Sequence, residues 1–333
     1  MKIQQGVLTK NQDRGASLLL SFLLLAVLVA AFNTGSVKAG EIKSHPLIGK
    51  LWSVKENKFV VVNAVKDAVL RSNYIIVGET HDNAGHHIAQ AQVMQWFLDE
   101  NRRINPVFEM LSNDQLGSLQ KTALNSSDAF FDKVAWEDSG WPDRSLYKPV
   151  FDIVVKQNLP MFAAQVERDV LMGLMEKGEQ GLPGDISRYL SGVTLDASAK
   201  DFMKQEIIDS HCGMLPEKMV DPMILGQRVR DAVMAKAMIL AANNEPAILI
   251  AGFGHGRTDF GVPAYIKSRE PDASITAIAM MEVVEEITEP VEYAQAWASD
   301  GIPFDYVWFS GRIGREDPCE EMRQYMKHHA TGA

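Results

Sequence analysis

The segment Tyr74-Ile75-Ile76-Val77-Gly78-Glu79-Thr80-His81 is an apolar run that ends in a Gly-x-x-His tetrad. A second stretch, residues 247–255, repeats this pattern with Ala-Ile-Leu-Ile-Ala followed by Gly-Phe-Gly-His. Short apolar runs bounded by glycine are typical of fully buried strands in a parallel sheet. Open α/β sheets bind ligands beyond the carboxyl ends of their strands. The two tetrads therefore predict that His81 and His255 face one shared site.

Further runs extend the predicted sheet. Residues 105–108 lead into Glu109, and residues 160–164 lead into Gln165, so two more strand ends carry a polar side chain. Strands are also predicted at 274–280 and 304–309. Residues 168–244 instead show helical spacing throughout, which is far more helix than a strand crossover requires. The predicted fold class is therefore α/β, with a mostly parallel central sheet flanked by helices and an inserted all-helical subdomain at about 168–244.

The N-terminus has the three parts of a secretory signal peptide. Basic residues precede an almost wholly apolar segment at 18–32, and the small residues of Ser36-Val37-Lys38-Ala39 follow it. We predict a signal peptide at 1–39, a mature α/β domain at 40–333, and export to the periplasm. The alternative is an uncleaved membrane anchor, because residues 15–32 are just long enough to span a bilayer.

The charge of the chain argues against one class of partner. The formal net charge is −10, and because residues 1–39 carry +3, the remainder carries −13. A strongly acidic protein without a basic patch repels phosphate backbones, so nucleic acid is not expected as a partner.

The chain contains two cysteines, Cys212 and Cys319. An even pair in an exported protein favours a disulfide, because oxidising compartments do not preserve spare thiols. The alternative is that Cys212, next to His211, is a ligand of a metal or a haem.

Residues at the strand ends predict a site with metal or acid–base chemistry. Two imidazoles and one carboxylate, from His81, His255 and Glu109, form a typical first-row transition-metal set with open positions for water or substrate. Glu79 or a neighbouring acid would then act as the catalytic base on a metal-bound water. His86 and His87 open the next helix, where haem iron or an anion could bind.

Several other features allow both a functional and a structural interpretation. The eight methionines at 172–238 could line a haem groove or simply fill an adaptable core. Arg228 and Arg230 could pair with ligand carboxylates or lie on the polar face of a helix. Trp136 and Trp141 could stack on a flat ligand or close a loop over the core.

Together the motifs resemble the ChaN-type haem-binding uptake proteins of the Tiki superfamily, which also includes metal-dependent peptidases. The resemblance covers about residues 47–319. It rests on the following stretches: Gly78-Glu79-Thr80-His81-Asp82-Asn83, Phe108-Glu109-Met110, His211-Cys212-Gly213-Met214-Leu215-Pro216, Gln227-Arg228-Val229-Arg230-Asp231, Ala251-Gly252-Phe253-Gly254-His255 and Gly261-Val262-Pro263.

This resemblance implies an α/β core, a role in haem or iron acquisition, and haem bound at a subunit interface of a homodimer. It also implies contact with haem uptake machinery at the membrane. By similarity to the peptidase branch, His81, Glu109 and His255 would be the metal positions. The haem ligand stays open among His86, His87 and Tyr265.

Two functions follow as hypotheses. The leading one is an exported haem-binding protein with haem as its cofactor or cargo. The alternative is a peptidase-like hydrolase that uses a divalent transition metal at the two histidines and the intervening carboxylate.

Overall fold

A computed structural model describes residues 40–119, 124–297, 299, 301–320 and 322–323. Within these residues one sheet of eight strands runs in the order β2-β1-β8-β7-β3-β6-β4-β5. The strands are β1 (Leu51–Ser53), β2 (Lys58–Val60), β3 (Tyr74–Glu79), β4 (Asn105–Phe108), β5 (Phe162–Ala163), β6 (Ala247–Gly252), β7 (Ile275–Glu282) and β8 (Tyr306–Ser310).

Helices cover both faces of this sheet and fill the segment between β5 and β6. The helices are α1 (Val62–Arg71), α2 (Ala84–Asp99), α3 (Asn113–Leu119), α4 (Ser127–Lys133), α5 (Arg144–Lys156), α6 (Arg168–Lys177), α7 (Gly184–Leu190), α8 (Ala197–Ser210), α9 (Glu217–Ala241) and α10 (Val262–Arg269). None of the described helices is long and apolar enough to cross a membrane.

The strands from β8 to β5 in sheet order are parallel, and β1 and β2 form an antiparallel pair at one edge. The mostly parallel sheet is therefore confirmed. β3 lies between β6 and β7, with Val77 level with Ile250 and Ile278. Because these registers align the carboxyl ends, residues that follow β3 and β6 emerge side by side.

Alternate residues of the central strands face opposite layers. Ile75 and Ile248 pack towards α2 and α5, in a cluster that includes Phe97 and Phe151. Ile76 and Leu249 point the other way, towards α9 and α10. The near-continuous apolar sequence of β3 and β6 follows from burial on both faces.

Helices α6 to α9 occupy residues 168–241 and form the insert, which we define by these four helices. A small core of its own joins α6, α7 and α9 through Leu174, Leu190 and Val229, while the second half of α9 packs on the sheet. Met234 and Met238 are fully buried against the sheet. At these two positions the methionines are core residues, because apolar side chains of the sheet and of α10 enclose them.

Cys212 and Cys319 form a disulfide, with their Cα atoms 5.5 Å apart. The predicted disulfide is confirmed, and the alternative that Cys212 is a metal or haem ligand is wrong, because its sulfur is used in the bond. The predicted signal peptide, or anchor, at 1–39 lies outside the described residues.

Candidate functional site

The first component of the site is a histidine–carboxylate pair at the end of β3. Glu79 is the last residue of the strand and is fully buried. Its Oε1 lies 2.6 Å from Nδ1 of His81. Because a carboxylate only accepts, Nδ1 of His81 donates and Nε2 points away from the pair. Burial alone would lower the pKa of His81, but the charges of Glu79 and Glu109 outweigh it and raise that pKa.

Gly78 makes this strand end possible. A Cβ at position 78 would lie 2.5 Å from Cα of Phe253, in the 3-10 turn Phe253–Gly256 that follows β6. The glycine therefore lets the two tetrads pass each other at close range, which explains why glycine stands directly after the apolar part of β3.

The second component is a matching pair at the end of β6. Nδ1 of His255 donates to Oδ1 of Asp231 over 2.6 Å. His255 lies on the 3-10 turn and Asp231 on α9, so the sheet and the insert each supply one member. Burial would lower the pKa of His255, but Asp231 and Glu109 raise it to about 10. His255 is therefore an imidazolium at neutral pH.

Glu109 lies between the two histidines. Its Oε2 accepts a hydrogen bond of 2.8 Å from the Gly252 amide, and its Oε1 lies 3.4 Å from Nε2 of His255. A Cβ on Gly252 would be 3.0 Å from Cε1 of His81 and 3.7 Å from Oε2 of Glu109, so His81 and Glu109 border the same small space. Burial opposes ionisation of Glu109, but His255, His81 and the amide lower its pKa to about 2.

The structure thus brings His81, Glu109 and His255 together, as the sequence predicted. It does not arrange them as a metal centre: among the described residues, no group of three or more His, Cys, Asp or Glu side chains could hold a metal ion. Glu109 Oε2 accepts a hydrogen bond from the Gly252 amide, and both imidazoles hold a carboxylate on Nδ1. The prediction of a bound transition metal is therefore not supported.

Two side chains beyond this trio border the site. The Trp141 ring meets the His81 ring edge-on at 4.8 Å between centroids. Burial lowers the pKa of Arg230. The negative charges of nearby Glu109 and Asp231 offset part of this effect. The site therefore has an aromatic ring next to one histidine and a half-buried cation next to the carboxylates.

Four buried polar atoms around these residues have no hydrogen-bond partner. They are Glu79 Oε2, Trp141 Nε1, Tyr147 Oη and His255 Nε2. Burial and the charges of the nearby carboxylates raise the pKa of Tyr147 well above its usual value, so it remains a neutral phenol. Buried polar groups are normally paired, so such a concentration is typical of a place that receives water or a polar ligand.

The two histidines that open α2 are engaged within the fold. Nδ1 of His86 accepts from the Thr80 amide and its Nε2 donates to Ser310 Oγ. The nitrogens of His87 lie 3.0 Å from Gln90 Oε1 and 2.9 Å from a main-chain carbonyl oxygen in the first tetrad. Burial and neighbouring positive charges lower the pKa of His86 to about 3. Iron binding by either histidine would require these hydrogen bonds to break.

Arg228 is also engaged within the fold, whereas Tyr265 is enclosed there with no hydrogen-bond partner on its Oη. Tyr265, on α10, is fully buried. Arg228 donates to the carbonyl oxygens of Leu190 and Val193, so it ties α9 to the end of α7. Neither residue belongs to the group joined by the contacts above, and the same is true of Gln165 after β5.

The two tryptophans of the loop before α5 have different roles. Trp136 is a core residue whose Nε1 donates to the Pro142 carbonyl oxygen. Trp141 faces the site through its contact with His81. Trp136 therefore has a structural role in the core, whereas Trp141 lies where it could contact a ligand.

Asp231 is a site residue that the sequence did not reveal. In the sequence it belongs to the polar run 227–231 of a helix, where nothing distinguishes it from a solvent-exposed residue. The weak signal is its place in α9 next to the apolar Val229 and Ala232, which the structure shows to be buried with it.

Comparison with known proteins agrees with the fold. A family model described as haem-binding uptake, Tiki superfamily, ChaN matches residues 65–266. The solved structure of cofacial haem binding to ChaN of Campylobacter jejuni is similar at a TM-score of 0.61 and 19% identity, covering 82% of this chain and 98% of that one. An erythromycin esterase mutant, EreC, reaches a TM-score of only 0.38 at 12% identity, covering 84% and 86%. No curated protein matches this chain.

Proposed function

Because this chain belongs to the haem-binding uptake family of ChaN in the Tiki superfamily, we propose that it is an exported haem-binding protein that takes part in haem or iron uptake. The observation that carries the proposal is the family match, which extends from α1 to α10 and includes the insert. The fold shared with ChaN of Campylobacter jejuni agrees with it.

Export is part of this proposal. Its support is the basic and apolar pattern of residues 1–39 and the disulfide between Cys212 and Cys319, since such bonds form and persist in oxidising compartments. The mature protein would be residues 40–333, with the insert as part of one α/β domain, and it would act in the periplasm.

The mode of haem binding is a second part of the proposal. ChaN of Campylobacter jejuni binds haem cofacially. For this chain we propose a homodimer that holds haem between its subunits and exchanges it with uptake machinery at the membrane. Of the cofactor-binding residues predicted from sequence, Arg230 is the one that lies beside the site carboxylates, where a guanidinium would pair with a haem propionate.

A hemin titration followed by the Soret band tests the proposal. The purified protein is expected to bind hemin saturably with a shifted Soret maximum. The His81→Ala, His86→Ala/His87→Ala and Arg230→Gln variants would then locate the ligand and the propionate contact. The absence of a saturable Soret shift in the wild type would reject haem binding.

A second candidate function is hydrolysis, favoured by the two histidine–carboxylate pairs and the unpartnered polar atoms around them. Glu79 orients His81 so that Nε2 can accept a proton from water, while the His255 imidazolium can donate one to a leaving group. Release of fluorophores from a library of short peptides and esters, lost in Glu79→Gln, would support it. No turnover above that of Glu79→Gln would reject it.

A further inference from the structure

The C-terminal segment after β8 runs along the edge of the sheet where the candidate site lies. We call residues 311–320 the strap. Its first residue is held by Asn83, whose Nδ2 donates to the Gly311 carbonyl oxygen over 3.1 Å, and its second forms a bridge with Ile42. The main chain of the strap is therefore attached to the core at its start.

Arg315 clamps the middle of the strap to the site. Its guanidinium donates two hydrogen bonds to Asp82, of 2.7 and 2.6 Å, and two to Glu282, of 2.7 and 2.9 Å. Asp82 directly follows His81, and Glu282 ends β7. Arg315 and Glu282 are mostly buried, so this charge-assisted pairing is stronger than a surface ion pair.

The disulfide fixes the far end of the strap to the insert. Cys319 is bonded to Cys212, which lies in the turn between α8 and α9. Asp231 of α9 holds His255, whereas Asp82, in the loop after β3, holds Arg315. The strap thus connects the two walls of the site, one supplied by the sheet and one by the insert.

The backbone at Cys212 adds a second observation. Cys212 and Gly213 both have positive φ, +57° and +66°, and the first is a conformation that residues other than glycine rarely adopt. Non-glycine residues in this region persist where the surrounding structure holds them, and they are frequent at switch segments. Cys212 and Cys319 are also both partly exposed, so a reductant can reach them.

We propose that the strap is a redox-sensitive closure of the candidate site. With the disulfide intact, the strap holds the insert against the end of β3 and restricts access to His81. A dithiol reductant opens the closure: the S–S bond accepts two electrons and two protons, Cys212 and Cys319 become thiols, and the dithiol becomes a disulfide. Arg315 keeps the strap on the core, so the insert is the wall that is released. The closure concerns access and does not depend on which ligand the site binds.

The accessibility of His81 tests this proposal directly. The probe is diethyl pyrocarbonate, which modifies exposed imidazoles, with modification sites located by peptide mass spectrometry. The purified protein is compared in its oxidised form, after reduction by dithiothreitol and alkylation, and as the Cys212→Ser/Cys319→Ser variant. We expect His81 to be modified at least threefold faster in the last two forms.

His86 and His87 serve as internal controls, because both are buried on α2 and react only if the core unfolds. Equal rates at His81 in oxidised and reduced protein, with His86 and His87 protected, would overturn the proposal. Faster modification of all three in the reduced form would also overturn it, since the disulfide would then stabilise the fold and not close the site.

A matched pair of variants tests the clamp. Arg315→Gln should speed modification of His81 in the oxidised protein. Arg323→Gln should not, because Arg323 pairs with Asp317 and Glu320 of the same segment and remains exposed. Equal rates of His81 modification in the two variants would show that Arg315 does not contribute to the closure. Since no haem is used, the outcome is independent of haem binding.

Discussion

At Gly252 a hydrogen atom occupies the place where a side chain would collide with the His81 ring. We predict that Gly252→Ala displaces His81, because the new Cβ would lie 3.0 Å from Cε1 of that ring. The expected result is a shifted Cε1–H resonance of His81 in NMR spectra and a changed midpoint of its pH titration. Gly254→Ala is the control, since a Cβ there meets nothing within 4 Å. An unchanged His81 resonance in Gly252→Ala would contradict the geometry of the site.

The His255–Asp231 pair should be visible in the pH dependence of stability. The pKa of His255 is raised to about 10 in the folded protein, so its contribution is complete below its unfolded pKa of about 6.5 and is lost as pH rises to about 10. We predict that the free energy of unfolding falls across this window, by on the order of 5 kcal/mol from this group.

Asp231→Asn removes the partner that raises the pKa of His255, so the decline between pH 7 and 10 should become shallower. Asp201→Asn, on an exposed position of α8, should keep the wild-type slope. Urea unfolding at four or five pH values measures both. Identical slopes for Asp231→Asn and the wild type would show that His255 is not an imidazolium in the fold.

The same residues show how far sequence reasoning reaches. His81, Glu109 and His255 could be predicted because each follows an apolar strand closely, and parallel strands align their ends. Asp231 and Arg315 could not, since one lies on a helix and the other in a segment without periodicity. Their roles depend on packing between parts of the chain that are far apart in sequence.

At the scale of elements, α9 connects the insert to the sheet. Met238 lies on its buried face and is fully enclosed. We predict that Met238→Ala lowers the free energy of unfolding by about 2–5 kcal/mol, because the truncation leaves a cavity. Met175→Ala, at a position that is 45% exposed, should change it by less than about 0.5 kcal/mol. Chemical denaturation with matched m-values measures the difference, and equal costs would mean that α9 does not pack as described.

The element order was accessible from the sequence, but the element lengths were less so. The strand predicted at 160–164 is reduced to Phe162–Ala163, because β5 is an edge strand with one neighbour. The β1–β2 pair was not predicted, since strands of three residues give too short an alternation to recognise. The helical insert was predicted because its length far exceeds that of a crossover.

Net charge should govern association of the subunits. Without residues 1–39 the chain carries a formal net charge of −13, so two copies repel each other at low ionic strength. If haem is held between two subunits, as we propose, then haem binding and dimerisation are linked, and each strengthens the other by the same factor. Raising the salt concentration screens the repulsion, since the Debye length falls from about 30 Å at 0.01 M to about 10 Å at 0.1 M.

We therefore predict that hemin converts residues 40–333 to a dimer with one haem per chain, and that the dimer is tighter at 0.3 M than at 0.02 M NaCl. Sedimentation velocity, monitored at the Soret band and at 280 nm, measures both the mass and the haem content of each species. Zinc protoporphyrin is a control for the need of an axial iron ligand. Saturable hemin binding by a species that stays monomeric at every salt concentration would support haem binding but contradict the proposal that two subunits share the haem. One subunit would then supply the whole site.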